Sequence, residues 1–502
     1  MSTESSPHNY WSGPGGARQV LQIAFPLIVS TSFWTLQMTI DRILLSRYSS
    51  DAVGAAQIAI MVFWTVFALL HQTALYSSTF VAQYQGANKP DRIGPVIWQS
   101  LYFSLISGVI FCTVFFFSAE WFVSLAGHGK DVQILEAKYL QTLSFSALPM
   151  ALVASASSFF MGRGKTGVVM IINAAGLVVN ALLDYALIFG QWGFPELGIA
   201  GAGWATTISS AVSALLALAL LFRPSMNKLY GLWNGWHFDR ALFGRLLRFG
   251  LPAGLQWSLD GLAFTVFVFL IGKMGKAELA ANSIAFSINL LAFLPPMGLG
   301  QAVSVLVGQR LGENRPDLAE RSANMGCIIG TVYMLTMGAT FLIFPGMYLS
   351  LYQSHNEPEQ WLQVAAMVPI LLRFAAVFCL FDSINMVLSF ALKGAGDTKF
   401  VSIISLTLAW SIVVPPTIAI WYWGLGIYWA WAVVTLYVFA LASVLFWRFR
   451  QGKWKSMRVI ENAPTDTDEE VGIHDDSQVV PEPVTTAITV EKVAVSPAPL
   501  GD

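Results

Sequence analysis

Val81-Ala82-Gln83-Tyr84-Gln85-Gly86-Ala87-Asn88-Lys89-Pro90-Asp91 returns 226 positions later as Val307-Gly308-Gln309-Arg310-Leu311-Gly312-Glu313-Asn314-Arg315-Pro316-Asp317. At the same offset Pro26 falls on Pro252. Further along, Gly162-Arg163-Gly164-Lys165-Thr166 matches Gly394-Ala395-Gly396-Asp397-Thr398, and Leu197-Gly198-Ile199 matches Leu425-Gly426-Ile427, at offsets of 232 and 228. One short match is within the reach of chance. Three in register across both halves are not, so the chain reads as a duplication.

What is duplicated is a set of membrane spans. Of 502 residues, 55% are hydrophobic and only 11% are charged, against roughly a quarter charged in a soluble domain. Apolar runs long enough to cross a bilayer recur throughout. Twelve spans are predicted, at 18–47, 52–85, 92–120, 133–161, 166–190, 199–222, 241–272, 277–310, 317–345, 361–392, 398–420 and 425–449. Residues 1–16 form a polar N-terminal segment without the pattern of a cleaved signal. Residues 17–222 form one six-span half and 241–450 the other, joined by the polar link 223–240. Residues 451–502 begin with a short basic stretch and then turn acidic and Pro/Val/Thr-rich, without helical period, and are expected to be a disordered tail. An even number of spans per half means that both halves enter the membrane in the same direction. The fold class is an all-α membrane protein with two six-helix lobes related by a parallel pseudo-two-fold repeat.

The positive charges orient the chain. If the N-terminus is cytoplasmic, the inner segments hold twenty Lys and Arg, including Lys89, Arg163, Arg310, Lys393 and Arg448. The outer segments hold five: Arg47, Lys130, Lys138, Lys273 and Lys276. Both termini are therefore expected in the cytoplasm. Cys112, Cys327 and Cys379 all lie in apolar spans and read as small buried hydrophobes, not as a disulfide or metal framework.

Few acids lie well inside spans: Asp41, Asp184, Asp260 and Asp382. An intramembrane carboxylate is costly and is by default a functional-site hypothesis. Asp41 and Asp184 lie about 20 and 18 residues into outward-running helices, which places them at similar depth at about 1.5 Å per residue. Gln37 and Asn180 each stand four residues before the acid of their helix and share its face. Thr206, early in the sixth span, adds a hydroxyl. Such an oxygen-rich cluster suits a hard monovalent cation. It equally suits a proton shared between carboxyls that repel one another when both are charged.

In the second half Asp260 has Gln256 on its face, and Asp382 has Asn385. Arg373 is the cation of the same span as Asp382 and is a candidate for an ion pair with one of these acids. Pro26, Pro252, Pro295 and Pro296 are candidate hinges, the last two interrupting the eighth span; Pro415-Pro416 breaks the eleventh. Trp34, Phe63, Trp64, Trp257, Phe286 and Met297 are candidates to line a cavity, and His71 is a lone polar group in the second span. A greasy, Met-rich cavity with a few acids favours bulky lipophilic cations.

Together these residues resemble the multidrug and toxic compound extrusion family, over about residues 17 to 450. Ile40-Asp41-Arg42-Ile43 followed by Val53-Gly54-Ala55 resembles the family's first helix. Val81-Ala82-Gln83 with Gly86, and Val307-Gly308-Gln309 with Gly312, resemble its signatures after helices two and eight. Gly198-Ile199-Ala200-Gly201-Ala202 with Ala205-Thr206 resembles its sixth helix. The resemblance implies a V-shaped twelve-helix fold and cation-coupled export. It implies that Asp41, Asn180, Asp184 and Thr206 form the first lobe's cation or proton site, and that Asp260 and Asp382 are the acids of the NorM-like branch, which often carries Glu where this chain has Asp260.

The expected function is a secondary antiporter in the cell membrane, exporting organic, often cationic, compounds in exchange for Na+ or H+. Sodium would sit at Asp41, Asn180 and Asp184, or at Asp260 and Asp382. No cofactor or nucleic-acid partner is expected, and the protein is expected to be monomeric. The alternative is a flippase for a lipid-linked glycan or other lipid, which would call for a more cationic cavity than Arg42 and Arg373 supply. An intramembrane enzyme would need a His/Cys metal set or a nucleophile with its base, which the spans do not offer.

Overall fold

The computed structural model describes residues 11–124, 128–352 and 358–461. The first half is built from α1 (Ala17–Tyr48), α2 (Ser50–Leu75), α3 (Ser77–Gly86), α4 (Ile93–Ser124), α5 (Lys130–Ser144), α6 (Ala147–Gly162), α7 (Thr166–Phe189) and α8 (Ile199–Leu221). After the short α9 (Pro224–Tyr230), the second half has α10 (Arg240–Met274), α11 (Lys276–Gly312), α12 (Pro316–Ile343), α13 (Pro345–Ser350), α14 (Pro358–Ala395), α15 (Thr398–Leu408), α16 (Val414–Trp423) and α17 (Ile427–Arg450). Among the described residues there is no strand. Among the described residues, eleven helical stretches are long and apolar enough to cross a membrane, and the pair α5–α6, bent by 40°, makes a twelfth when taken as one span. The cysteines are free; Cys379 is buried, Cys112 and Cys327 half-buried.

The apolar cores show where the halves meet. At the end from which the Lys- and Arg-rich segments emerge, here the basic end, Val20, Ile23, Ala24 and Leu27 of α1 share a core with α11, α12, α14 and α17. Leu242, Leu246 and Ala253 of α10 share another with α3, α4, α6, α7 and α8. Each half thus lends the start of its first helix to its partner. At the opposite end the cores are separate, one made of α1, α2 and α4–α8, the other of α10–α14 and α17. The result is a V joined at the basic end.

The repeated motifs make that junction. Gly86 lies against the backbone of Gln309, and Gly312 lies against the backbone of Gln83. Glycine at both places lets α3 and α11 approach closely. Gln83 donates to the Gly394 carbonyl at 3.1 Å, and Gln309 donates to the Gly162 carbonyl at 2.8 Å. Each repeated glutamine therefore reaches the repeated glycine motif of the other half. Asn88 and Asn314, equivalent in the repeat, both take left-handed φ values, 53° and 57°, as asparagine does at helix ends.

All four candidate hinge prolines lie inside continuous helices. The expected interruption of the eighth span at Pro295-Pro296 is not there: α11 runs through the pair as one helix. Close packing holds it, since Gly298 abuts the backbone of Ile28 in α1. Around Pro252, Thr73 and Ser402 donate to the carbonyls of Gly250 and Pro252 at 3.3 and 2.9 Å, hydroxyls near the proline that satisfy backbone groups. The eleventh span is not interrupted either: Thr398–Trp423 is one helical stretch that widens into a π-helical turn at Ala409–Val413, just before Pro415-Pro416. That wide turn gives the proline rings room.

The expectation of disorder from residue 451 onward fails for its first ten residues. Trp454 is buried, stacks on Phe449 at 4.9 Å and donates to the Phe449 carbonyl at 2.9 Å. Lys455 pairs with Glu320 at 2.6 Å, and Arg458 donates to Asn314 at 3.3 Å. The Val459 amide donates to Gln83 Oε1 at 2.8 Å, and Val459 is buried in the core that α10 shares with the first half. This short strap crosses the seal between the halves. Residues 462–502 lie outside the described residues. Trp454→Ala removes the anchor at a local cost of about 3–5 kcal/mol. Limited trypsinolysis from the basic side should then cut at Lys455 and Arg458 while the wild type resists; equal cleavage of both proteins would refute the anchoring role.

Candidate functional site

The first carboxylate cluster forms where α1, α7 and α8 meet on the first arm of the V. Asp41, Asn180, Asp184 and Thr206 are all buried, at 3%, 0%, 0% and 2% exposure. With its amide nitrogen facing the acids, Asn180 donates to Asp184 Oδ2 at 3.1 Å and to Asp41 Oδ1 at 3.0 Å. The two carboxyls are in hydrogen-bonding contact with each other. A bond between two carboxyls needs a proton on one of them. Asp184 Oδ1 and Thr206 Oγ1 have no hydrogen-bond partner among the described residues, and buried orphan oxygens call for a ligand. The donor set therefore fits either a shared proton or a small hard cation. Arg42 turns away from this cluster and donates to Gln57 at 2.5 Å.

Gln37 stands one turn from Asp41 and lines a separate central cavity of about 490 Å³. That volume is in the range of drug-sized ligand sites. Trp34, Trp64, His71 and Met150 line one side, and Trp257, Phe293 and Met297 of the second half line the other. Trp34 and Trp64 meet edge to face at 5.5 Å. Phe63, a candidate for this lining, is instead fully buried in the core of the first arm; aromatic residues one position apart on α2 face opposite surroundings. Phe286 lines the second half's chamber and not the central cavity.

That chamber, about 310 Å³, holds both acids of the second half. Asp260 accepts from Ser405 at 3.1 Å and from Gln256 at 3.3 Å. Asp382 accepts from Asn385 at 3.3 Å. Ser405 also meets the Tyr437 hydroxyl at 3.5 Å. Asp260 and Asp382 share the chamber without a hydrogen bond between them. The anticipated pairing of Arg373 does not occur: its side chain is exposed and makes no ion pair among the described residues. The cation that enters the chamber is Lys393, 6% exposed. It shares the chamber with Asp260, with which it interacts electrostatically.

Four residues near the acids were not singled out from the sequence: Tyr139, Lys393, Ser405 and Tyr437. Tyr139 is buried on α5 beside Asp41 and Asp184. It shares a buried stripe with Glu136, Leu140 and Leu143, and that stripe is the signal that would have found it. For Lys393 the signal is the apolar run on its N-terminal side, towards which a helical side chain points.

A family model described as MatE matches residues 26–186 and 252–418, beginning in each half at the repeated proline. Multidrug resistance protein PmpM of Pseudomonas aeruginosa is 28% identical over 402 residues, covering 79% of this chain and 82% of that protein. Probable multidrug resistance protein NorM of Rhizobium meliloti is 28% identical over 471 residues, covering 91% and 96%. Among solved structures, an outward-facing multidrug resistance MATE transporter of the MOP superfamily aligns with a TM-score of 0.80 at 21% identity, covering 89% of this chain and 98% of that one. A MOP superfamily transporter from Pyrococcus furiosus, described as having a binding pocket of reverse polarity, aligns at 0.81 with 20% identity, covering 90% and 100%. The duplicated match spans most of both halves, and the chain belongs to the multidrug and toxic compound extrusion (MATE) family.

Proposed function

We propose that this protein is a secondary antiporter that exports organic, lipophilic and often cationic compounds in exchange for inward movement of Na+ or H+. The observation that carries this reading is a buried carboxyl pair, Asp41 with Asp184 of α7, whose first member lies on α1, the helix that also lines the central cavity and enters the seal. Asp41 lies towards one end of α1, Trp34 and Gln37 face the cavity, and Ile23, Ala24 and Leu27 pack in the other half's core. An ion or proton on Asp41 and Asp184 acts on the same helix that closes the basic end. It shifts the balance between two openings only by binding one of them better. Pro26 and Pro252 are the bending points of α1 and its repeat partner α10.

The excess of Lys and Arg at the sealed end supports a cytoplasmic placement of that end, in the cell membrane, with a monomer as the working unit. In this arrangement the V opens outward, the state in which cargo leaves and the coupling ion enters. Aromatic and methionine side chains in the cavity bind flat, greasy cations of varied shape.

The test is purified protein in sealed vesicles, with a lipophilic fluorescent cation and an imposed Na+ or H+ gradient. Dye is expected to move against the ion, in response to one gradient only. Dye flux indifferent to both gradients would exclude antiport.

A further inference from the structure

Lys393 is unlike every other ionised group around the cavities. It is buried, yet its ammonium donates no hydrogen bond and forms no close ion pair among the described residues. It faces Asp260 across the chamber, with the Phe390 ring 5.7 Å away. It also lines a small pocket between the halves, together with Gln72, Tyr76 and Thr79. Its own carbonyl accepts the Tyr76 hydroxyl at 2.8 Å, across the seal.

The repeat sharpens the contrast. In the register that matches Gly162 to Gly394, Lys393 falls on Met161. Met161 lines the same small pocket and, in its own half, the central cavity. The two halves therefore place a thioether and an ammonium at one position. The first half's acids contact each other with no amine among them. The second half's acids face a cation built into the chain.

A tethered ammonium attracts the nearest carboxylate and repels any second cation that approaches it. Such groups inside a membrane are costly and mark function. We propose that Lys393 is an internal competitor for Asp260, which an organic cation must displace to occupy the second half's chamber. The proposal rests on the antiporter reading. In the empty chamber Lys393 offsets Asp260 and leaves Asp382 as the uncompensated acid. An arriving cation drives the ammonium towards the pocket between the halves, where amide and hydroxyl oxygens of α2 and α3 receive it. Cargo binding then places a charge against the seal, and Lys393 sets how tightly cations bind.

The experiment is equilibrium binding of ethidium to the full-length protein in detergent. Lys393→Met installs the residue that the first half uses; Lys393→Gln removes the charge and keeps a polar tip. Both are expected to bind ethidium about tenfold tighter, whereas Lys393→Arg keeps wild-type affinity. In an Asp260→Asn background the gain from Lys393→Met should vanish. Unchanged or weaker binding by folded Lys393→Met and Lys393→Gln overturns the proposal, as does a gain that survives Asp260→Asn. Asp382→Asn separates this from the parent reading. If it leaves wild-type binding intact, the cation site itself is misassigned; if it abolishes binding while the Lys393 variants gain nothing, only the competitor role falls.

Discussion

Asp41→Asn is expected to reduce gradient-driven efflux to the level of vesicles without protein, a loss of about a hundredfold or more. The reason lies in the pairing. An ion that binds two conformations equally shifts neither, so coupling depends on a site that differs between them. Asp41 contributes a carboxyl on α1 that is linked to Asp184 on α7 through Asn180, where a proton or a small cation would be held between them. The amide has the same shape and accepts from Asn180, but it holds neither a proton nor a cation's charge. Stability should not fall, because two adjacent carboxyls disfavour their doubly charged form and the substitution relieves that. Asp184→Asn should behave alike, and the double variant should be no worse than either single one, since both act through one site. Transport assays with matched amounts of folded protein decide it. Near-normal efflux by Asp41→Asn would remove the first half's acids from the mechanism.

How much of this was readable beforehand differs by feature. The spans and the duplication were legible because hydrophobic length and motif spacing are properties of the chain itself. The cluster of Asp41, Asn180, Asp184 and Thr206 was legible because helix rise is constant, so counting residues from the basic end estimates depth. Depth does not tell which neighbour a side chain meets. Arg373 and Lys393 are both cations of α14, and only helix rotation within the bundle puts one outside and the other in the chamber. The strap was missed because it has no period. Its order rests on single contacts, Trp454 on Phe449 and Val459 on Gln83.

The seal yields the second large effect. A side chain at Gly312 would overlap the Gln83 carbonyl and crowd the Ala87 amide, and one at Gly86 would overlap the Gln309 carbonyl. These are backbone atoms, which cannot turn aside as a flexible side chain does. Ordinary overpacking costs about 1–3 kcal/mol, and a clash with backbone sits at or beyond the upper limit. The cost falls on the conformation closed at the basic end, in which α3 and α11 touch. Gly312→Val should therefore disfavour that conformation and open the pocket between the halves. Thr79→Cys is a suitable reporter, since Thr79 lines that pocket and is 3% exposed. In the Gly312→Val background a membrane-impermeant maleimide added from the basic side should label it at least about tenfold faster than in the parent, and efflux should fall in proportion. The repeat adds a stricter requirement. Gly86→Val must produce the same opening, because each glycine serves the other half's glutamine. Labelling unchanged in both variants would mean that α3 and α11 do not form the gate. A response from one glycine alone would mean that the two halves do not share the seal equally.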